Sequence, residues 1–286
     1  MKVYALYNPY AGNGTGEESA KAVSQFFQDE LELIDMTRIE SYDSFASSLE
    51  EDDKIVVCGG DGTLNRFINA IYNLNIENEI YYYATGTGND FLRDLGKEKG
   101  DAPFVINEIM KDLPIATVNG KEYRFLNNVG FGIDGYCCEE GDRLRADPKK
   151  KDKINYTSIA IKGLLFKYKP TNAIVTVDGV RHEFKKAWLA PTMVGRYYGG
   201  GMMPAPEQTR EKRREQVSVA LIYGSGKLKT LMIFPSIFKG ELGKYPKHCV
   251  AMAGKHIVVE FDSPRAIQID GETISGVSSY EVRLAD

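Results

Sequence analysis

Histidine occurs only three times in this chain of 286 residues, and His182, His248 and His256 have none of the spacings that a histidine-based metal site needs. Cysteine is nearly as scarce. Cys58, Cys137, Cys138 and Cys249 form no CxxC pair and two are adjacent, which argues against a disulfide framework and for a reducing, cytoplasmic setting. No apolar run reaches the ~20 residues that a spanning helix requires; the greasiest stretch, TLMIFPSIF at 230–238, is interrupted by Pro235. The N-terminal apolar segment is too short for a signal sequence and breaks at Asn8-Pro9. Positive charge is not in excess either: 36 Lys and Arg against 40 Asp and Glu give a net charge of −4, so nucleic acid is not an expected partner. Repeats and low-complexity segments are absent.

What is present is the balance of an ordinary globular protein, 43% hydrophobic and 27% charged, in a length that suggests two domains. The first third alternates between strand-like runs and amphipathic ones. KVYALYN, LELIDMT, KIVVC and EIYYYAT are each followed by a helical pattern, the last by NDFLRDLG and a further helix near 102–113. In EESAKAVSQFFQDE, Ala20, Val23, Phe26 and Phe27 fall on the inner side of the helix. After about residue 120 the texture turns to β runs, with Asp178-Gly179 a strong hairpin signal between AIVTV and VRHEF. The expected fold is therefore α/β: a doubly wound, mostly parallel sheet forming a nucleotide-binding domain (1–120), followed by a β-rich sandwich domain (121–286), whose final strand could return to the first. Ligands of such parallel sheets collect beyond the carboxyl ends of the strands, where all the glycine-rich loops of the first domain fall.

Four segments carry candidate chemistry. NPYAGNGTG (8–16) follows the first strand but lacks the Lys-Ser/Thr of a Walker A loop, and its glycines are misplaced for a dinucleotide fingerprint. GGDGTLN (59–65) is sharper, because successive glycine N–H groups leading into a helix N-terminus make a nest suited to phosphate oxygens. A carboxylate there repels bare phosphates, so Asp61 implies an intervening Mg²⁺ or donor hydroxyl; the structural alternative makes Asp61 a turn residue or a helix N-cap. ATGTGNDF (84–91) repeats the pattern after the next strand. IQIDGE (267–272) sets Asp270 and Glu272 around a glycine, which suits metal binding or removal of a proton from an attacking hydroxyl, and equally a hairpin turn with solvated charges.

Two other features lead elsewhere. GFGIDG (130–135) matches GxGxxG, yet the following YCCEEGDRLRADPKKK is polar and glycine-broken where a dinucleotide fold needs a packed helix. The basic runs RLRADPKKKDK (143–153) and REKRR (210–214) read as solvated loops or as attraction to an anionic lipid surface.

In order along the chain, NPYAGNG, GGDGTLN, GTGNDF, NNVGFGID, YYGGGMMPAP and IQIDGE resemble the diacylglycerol kinase catalytic-domain family, which includes bacterial lipid kinases and, more distantly, sphingosine and ceramide kinases. The resemblance implies ATP- and Mg²⁺-dependent transfer of a phosphoryl group to the hydroxyl of diacylglycerol or a similar lipid met at the inner membrane surface. It places Asn8, Pro9, Gly12, Thr37, Gly59, Gly60, Asp61, Gly62, Thr63, Asn65 and Thr87 in the nucleotide site. Glu272 is implied as the proton acceptor with Asp270 beside it, and Asp61 as the residue managing the catalytic Mg²⁺. Where the family often has a basic residue in the first loop this chain has GNGTGEE, and Arg66 stands where Glu is usual. EQTREKRREQVSV replaces the acidic DDG that helps form a structural metal site in bacterial members, so that metal is not expected. An NAD kinase-like enzyme and a catalytically weak nucleotide-binding protein are the alternative readings.

Overall fold

The chain forms two compact units, Met1–Asp112 and Leu113–Asp286, in a computed structural model that describes residues 1–11, 14–86, 88–147 and 154–285. In β1 (Lys2–Tyr7), Val3, Ala5 and Tyr7 share one face with Ala20 and Val23, from α1 (Gly16–Lys21) and the 3₁₀ turn that continues it. The residue between them, Tyr4, meets Phe45 edge-on across the other face, as the period of two along a strand requires. Phe45 belongs to α2 (Tyr42–Ser47), which follows β2 (Glu30–Asp35). Helices thus cover both faces of the sheet. The unit continues with β3 (Lys54–Gly59), α3 (Asp61–Ile71), β4 (Ile80–Ala84), α4 (Asp90–Asp94), β5 (Phe104–Val105) and α5 (Asn107–Lys111).

The strands lie in the order β2-β1-β3-β4-β5, the first four parallel and β5 antiparallel to β4. The central β3 is buried from Ile55 onward, which is why KIVVC carries no alternation. Two expectations change here. The stretch near 102–113 is a short strand followed by one helical turn and a half, and α1 gives way after Lys21 to the 3₁₀ turn Ala22–Gln25, so that Phe26 stays 36% exposed.

In the second unit, β6 (Ile115–Val118), β7 (Lys121–Arg124) and β8 (Asn128–Gly132) lead into α6 (Ile133–Arg145) and α7 (Tyr156–Lys162). β9 (Thr171–Val177) and β10 (Val180–Ala187) form the expected hairpin, with φ of 47° at Asp178 and 83° at Gly179, the left-handed pair that a two-residue type I′ turn requires. β11 (Leu189–Met193), β12 (Val217–Ile222), α8 (Lys227–Ile233), β13 (Cys249–Gly254), β14 (His256–Ile269) and β15 (Glu272–Arg283) complete it.

All pairings in this unit are antiparallel. The long β14 shifts register between Glu260 and Ile267; its first half pairs with β9, its second with β8, and β15 runs along both. One hairpin therefore serves two layers. Between them pack Val175 and Val177 of β9, Val217, Val219 and Leu221 of β12, and the stacked rings of Phe131 and Phe261, centroids 4.2 Å apart. Each such side chain stabilises the fold by about 1.5–3 kcal/mol. The final strand remains in this unit, paired with β14 and β6, and because β6 pairs with β15 the unit begins at Leu113 rather than after residue 120.

As far as Arg145 the segment after GFGIDG is a packed helix, contrary to the reading of Gly141 as a break: an added Cβ there would lie 2.7 Å from the Tyr156 hydroxyl oxygen, so this glycine lets α7 approach α6. An added Cβ at Gly135 would lie 2.2 Å from the Ala266 carbonyl oxygen, so this glycine lets α6 approach β14 closely. The helix lies in an antiparallel setting and not in a βαβ unit, which is what excludes a dinucleotide site there.

Candidate functional site

β1 to β4 all end at one edge of the parallel sheet, and the register sets Tyr7 beside both Asp35 and Cys58, and Gly59 beside Ala84. Since β1 connects outward to β2 and β3 connects the other way to β4, the strand order reverses between β1 and β3, the place where open α/β sheets take ligands. Asn8 leaves β1 in a tight turn: its Oδ1 accepts from the Tyr10 N–H at 2.9 Å and its carbonyl from the Ala11 N–H at 3.0 Å. Pro9 sits in that turn. Gly12 and Thr87 lie outside the described residues.

The two later glycine loops are locked backbone to backbone. The Gly59 carbonyl accepts from the N–H groups of Thr85 (2.9 Å) and Gly86 (3.1 Å) and from the Tyr82 hydroxyl (3.2 Å), while the Asp61 N–H donates to the Gly88 carbonyl (3.2 Å). A Cβ at Gly86 would come within 2.5 Å of the Gly60 Cα. Gly86→Ala is therefore expected to separate the loops at a cost of about 1–3 kcal/mol, measurable as a drop in urea stability and faster amide exchange at Asp61. Unchanged stability would mean the loops do not touch.

Asp61 is the first residue of α3, whose N-cap is Gly60, so it does not cap its own helix. Its Oδ2 instead accepts from the N–H of Phe91 at 3.2 Å, joining α3 to α4, and the side chain is 8% exposed. Burial, with the charges of Asp61 and Cys58 adding to it, pushes the Tyr82 hydroxyl well above its ordinary value. Thr63 packs beneath Gly59, where a Cβ would meet its Cβ at 2.4 Å; Gly62 is half-buried. Asn65 is buried and held by the Asn69 amide at 3.0 and 3.2 Å, whereas Arg66 faces outward. Thr37, one strand further out, is exposed, and both its N–H (2.9 Å) and hydroxyl (2.7 Å) go to Asp35 Oδ1.

In the second unit, Asp270 and Gly271 form another left-handed turn, with φ of 46° and 90°, between β14 and β15. The carboxylate of Asp270, a half-buried residue, is turned onto the backbone of 126–128. It accepts from the N–H groups of Leu126 (2.5 Å), Asn127 (2.7 Å) and Asn128 (3.0 Å), and the Asp270 N–H returns a bond to the Asn128 carbonyl at 3.0 Å. Burial pushes its pKa up from the ordinary carboxylate value, against which those three donors and Arg210 act. Glu272, half-buried, opens β15 opposite Ile269.

Three residues join this region without having been singled out in the sequence. Arg210, placed above in a run of solvated charges, is 2% exposed and donates to the Leu126 carbonyl (2.6 Å) and Asn127 Oδ1 (3.0 Å). Nothing local separates it from the basic residues beside it. Gln268 accepts from the Gly271 N–H at 2.8 Å, and its amide reaches Asp134 Oδ2 at 3.5 Å. Asp134, within the GFGID motif, accepts from the Gly135 N–H at 2.9 Å and is pushed by burial to about 7. Because the folded state then holds a proton that the unfolded chain releases, Asp134 contributes stability below its ordinary range and loses it as pH rises through about 7. Asp134→Asn is expected to flatten the fall in Tm over that interval; an unchanged pH profile would contradict this. In the other basic run, Arg143 and Arg145 pair with Glu140 and Asp142, and residues 148–153 lie outside the described ones.

An α/β unit with paired glycine loops at the carboxyl ends of neighbouring parallel strands, followed by an antiparallel β-sandwich, is the architecture of the kinases to which this chain compares. Residues 2–118 match the family described as the diacylglycerol kinase catalytic domain, and residues 127–283 the YegS C-terminal NAD kinase beta sandwich-like domain. The chain belongs to this family of diacylglycerol-kinase-like, YegS-type lipid kinases. It is 25% identical over 185 residues to YtlR of Bacillus subtilis (strain 168), provisionally named a lipid kinase, covering 58% of each chain. To the diacylglycerol kinase of the same organism it is 29% identical over 136 residues, 44% of each chain. The match thus spans about half the length of these two relatives. A crystal structure of a provisionally named diacylglycerol kinase from Bacillus anthracis str. Sterne shares the fold, with a TM-score of 0.65 at 22% identity over 99% of this chain and 92% of that one.

Proposed function

We propose that the protein is an ATP- and Mg²⁺-dependent lipid kinase that phosphorylates a hydroxyl of diacylglycerol or a similar lipid, attached transiently at the inner membrane surface where that lipid lies. The observation that carries this reading is the backbone locking of GGDGT onto TGTGND, which leaves an acid at a helix N-terminus on the ligand-binding edge of the sheet. In this reading Asn8, Pro9, Gly12, Gly59, Gly60, Gly62, Thr63, Asn65 and Thr87 line the nucleotide site, Thr37 borders it, and the second unit holds the acyl chains.

Among the described residues no group of three or more His, Cys, Asp or Glu side chains forms a metal cage. Mg²⁺ fits nonetheless, since it commonly takes one or two carboxylates and completes its shell with phosphate oxygens and water. Asp61 would be the protein's ligand, and the ion would neutralise phosphate charge as it develops. The proton of the lipid hydroxyl passes to Glu272 as the hydroxyl oxygen bonds to the γ-phosphorus; the bond from that phosphorus to the β–γ bridging oxygen breaks and ADP leaves. Asp270 holds the turn that carries Glu272.

The test incubates purified protein with labelled ATP and Mg²⁺, offering diacylglycerol micelles, sphingoid bases, undecaprenol-like alcohols and NAD in turn. Label in a lipid supports the proposal. Label in NADP would replace it with an NAD kinase-like activity, and tight ATP binding without product would leave a nucleotide-binding protein. No helix among the described residues is long and apolar enough to cross a membrane.

A further inference from the structure

The strap 126–128 is bonded on two sides. Its N–H groups converge on the Asp270 carboxylate, and from the other side the Arg210 guanidinium forks between the Leu126 carbonyl and Asn127 Oδ1. The Leu126 carbonyl and the Asn127 N–H belong to one peptide plane. A cation bonded to that oxygen polarises the unit and strengthens the N–H that it presents to Asp270 at 2.7 Å. The strap is fixed further where the Asn127 carbonyl accepts from the Val194 N–H at 3.0 Å.

We propose that Arg210 is a positioning residue for the Asp270-Gly271-Glu272 turn, acting through the strap 126–128 to fix where the Glu272 carboxylate begins its strand. The proposal rests on the assignment of Glu272 as base. A guanidinium suits the task because its planar fork meets two acceptors at once and stays charged when buried; an ammonium reaches such a pair as a single point charge. The neighbours Glu211 and Arg214 of the same turn are exposed, whereas Arg210 is 2% exposed and turns inward to the strap.

Arg210→Met and Arg210→Lys are compared with the wild type in steady-state kinetics, thermal melting and amide hydrogen exchange. Small displacements of a reacting group cost on the order of 100-fold in rate, so kcat should fall by that order in Arg210→Met while KM for ATP is unchanged. Amides of 126–128 and Gly271 should exchange faster, and Arg210→Lys should restore part of both properties. A folded Arg210→Met protein with wild-type kcat, or with unchanged exchange at those amides, overturns the proposal. Should the wild type phosphorylate no acceptor, the kinase reading fails on its own and the exchange data still decide whether Arg210 holds the turn. If Arg210→Met does not fold, Arg210→Lys carries the same comparison.

Discussion

Replacing Glu272 by Gln is expected to lower ATP-dependent lipid phosphorylation by about 10²–10⁴-fold, the range that a positioned general base contributes, with Tm and KM for ATP unchanged. The side chains are nearly isosteric, so the half-buried position at the head of β15 tolerates the amide. Its strand pairing opposite Ile269 uses backbone groups only. What is lost is the ability to take a proton. The adjacent carboxylate is poorly placed to substitute, because Asp270 is already engaged by three backbone N–H groups. A Glu272→Gln enzyme turning over near the wild-type rate would remove Glu272 from the mechanism, and a bell-shaped pH profile surviving in that variant would assign the base elsewhere.

Much of this arrangement is legible in the sequence because it is local. KIVVC and QVSVALI are apolar runs of strand length, and both are buried strands. Asp178-Gly179 and Asp270-Gly271 declare their turns, since that pair adopts left-handed backbone at little cost. The glycine loops at the carboxyl ends of β1, β3 and β4 follow from the alternation of strand and helix. What the sequence hides depends on partners far along the chain. Gly141 looks like a helix breaker until Tyr156 is known to lie against it. IATV belongs to the second unit because β6 pairs with Tyr280–Arg283, more than 150 residues later, a contact that no window of sequence contains. Arg210 is one basic residue among several until burial singles it out, and Asp61 resembles an N-cap until its carboxylate is seen to reach Phe91.

Asp61→Asn separates the structural part of that last residue from its chemical part. The Asn side-chain oxygen can still accept from the Phe91 N–H, and Gly60 remains the N-cap of α3, so the two loops should stay locked and Tm should hold. The negative charge is gone. Turnover is expected to fall by about 10²–10³-fold, the loss typical when one preorganised electrostatic group is removed from an active site. Nucleotide binding measured without lipid gives a second readout whose sign is diagnostic. A carboxylate at a phosphate nest repels bare ATP and attracts MgATP, so wild-type protein should bind ATP more tightly with Mg²⁺ than without it. Asp61→Asn should bind bare ATP at least as well as the wild type and gain little from Mg²⁺. If the variant keeps the full Mg²⁺ enhancement, the ion is held by something other than this residue, and the acid in the glycine loop serves only to tie α3 to α4.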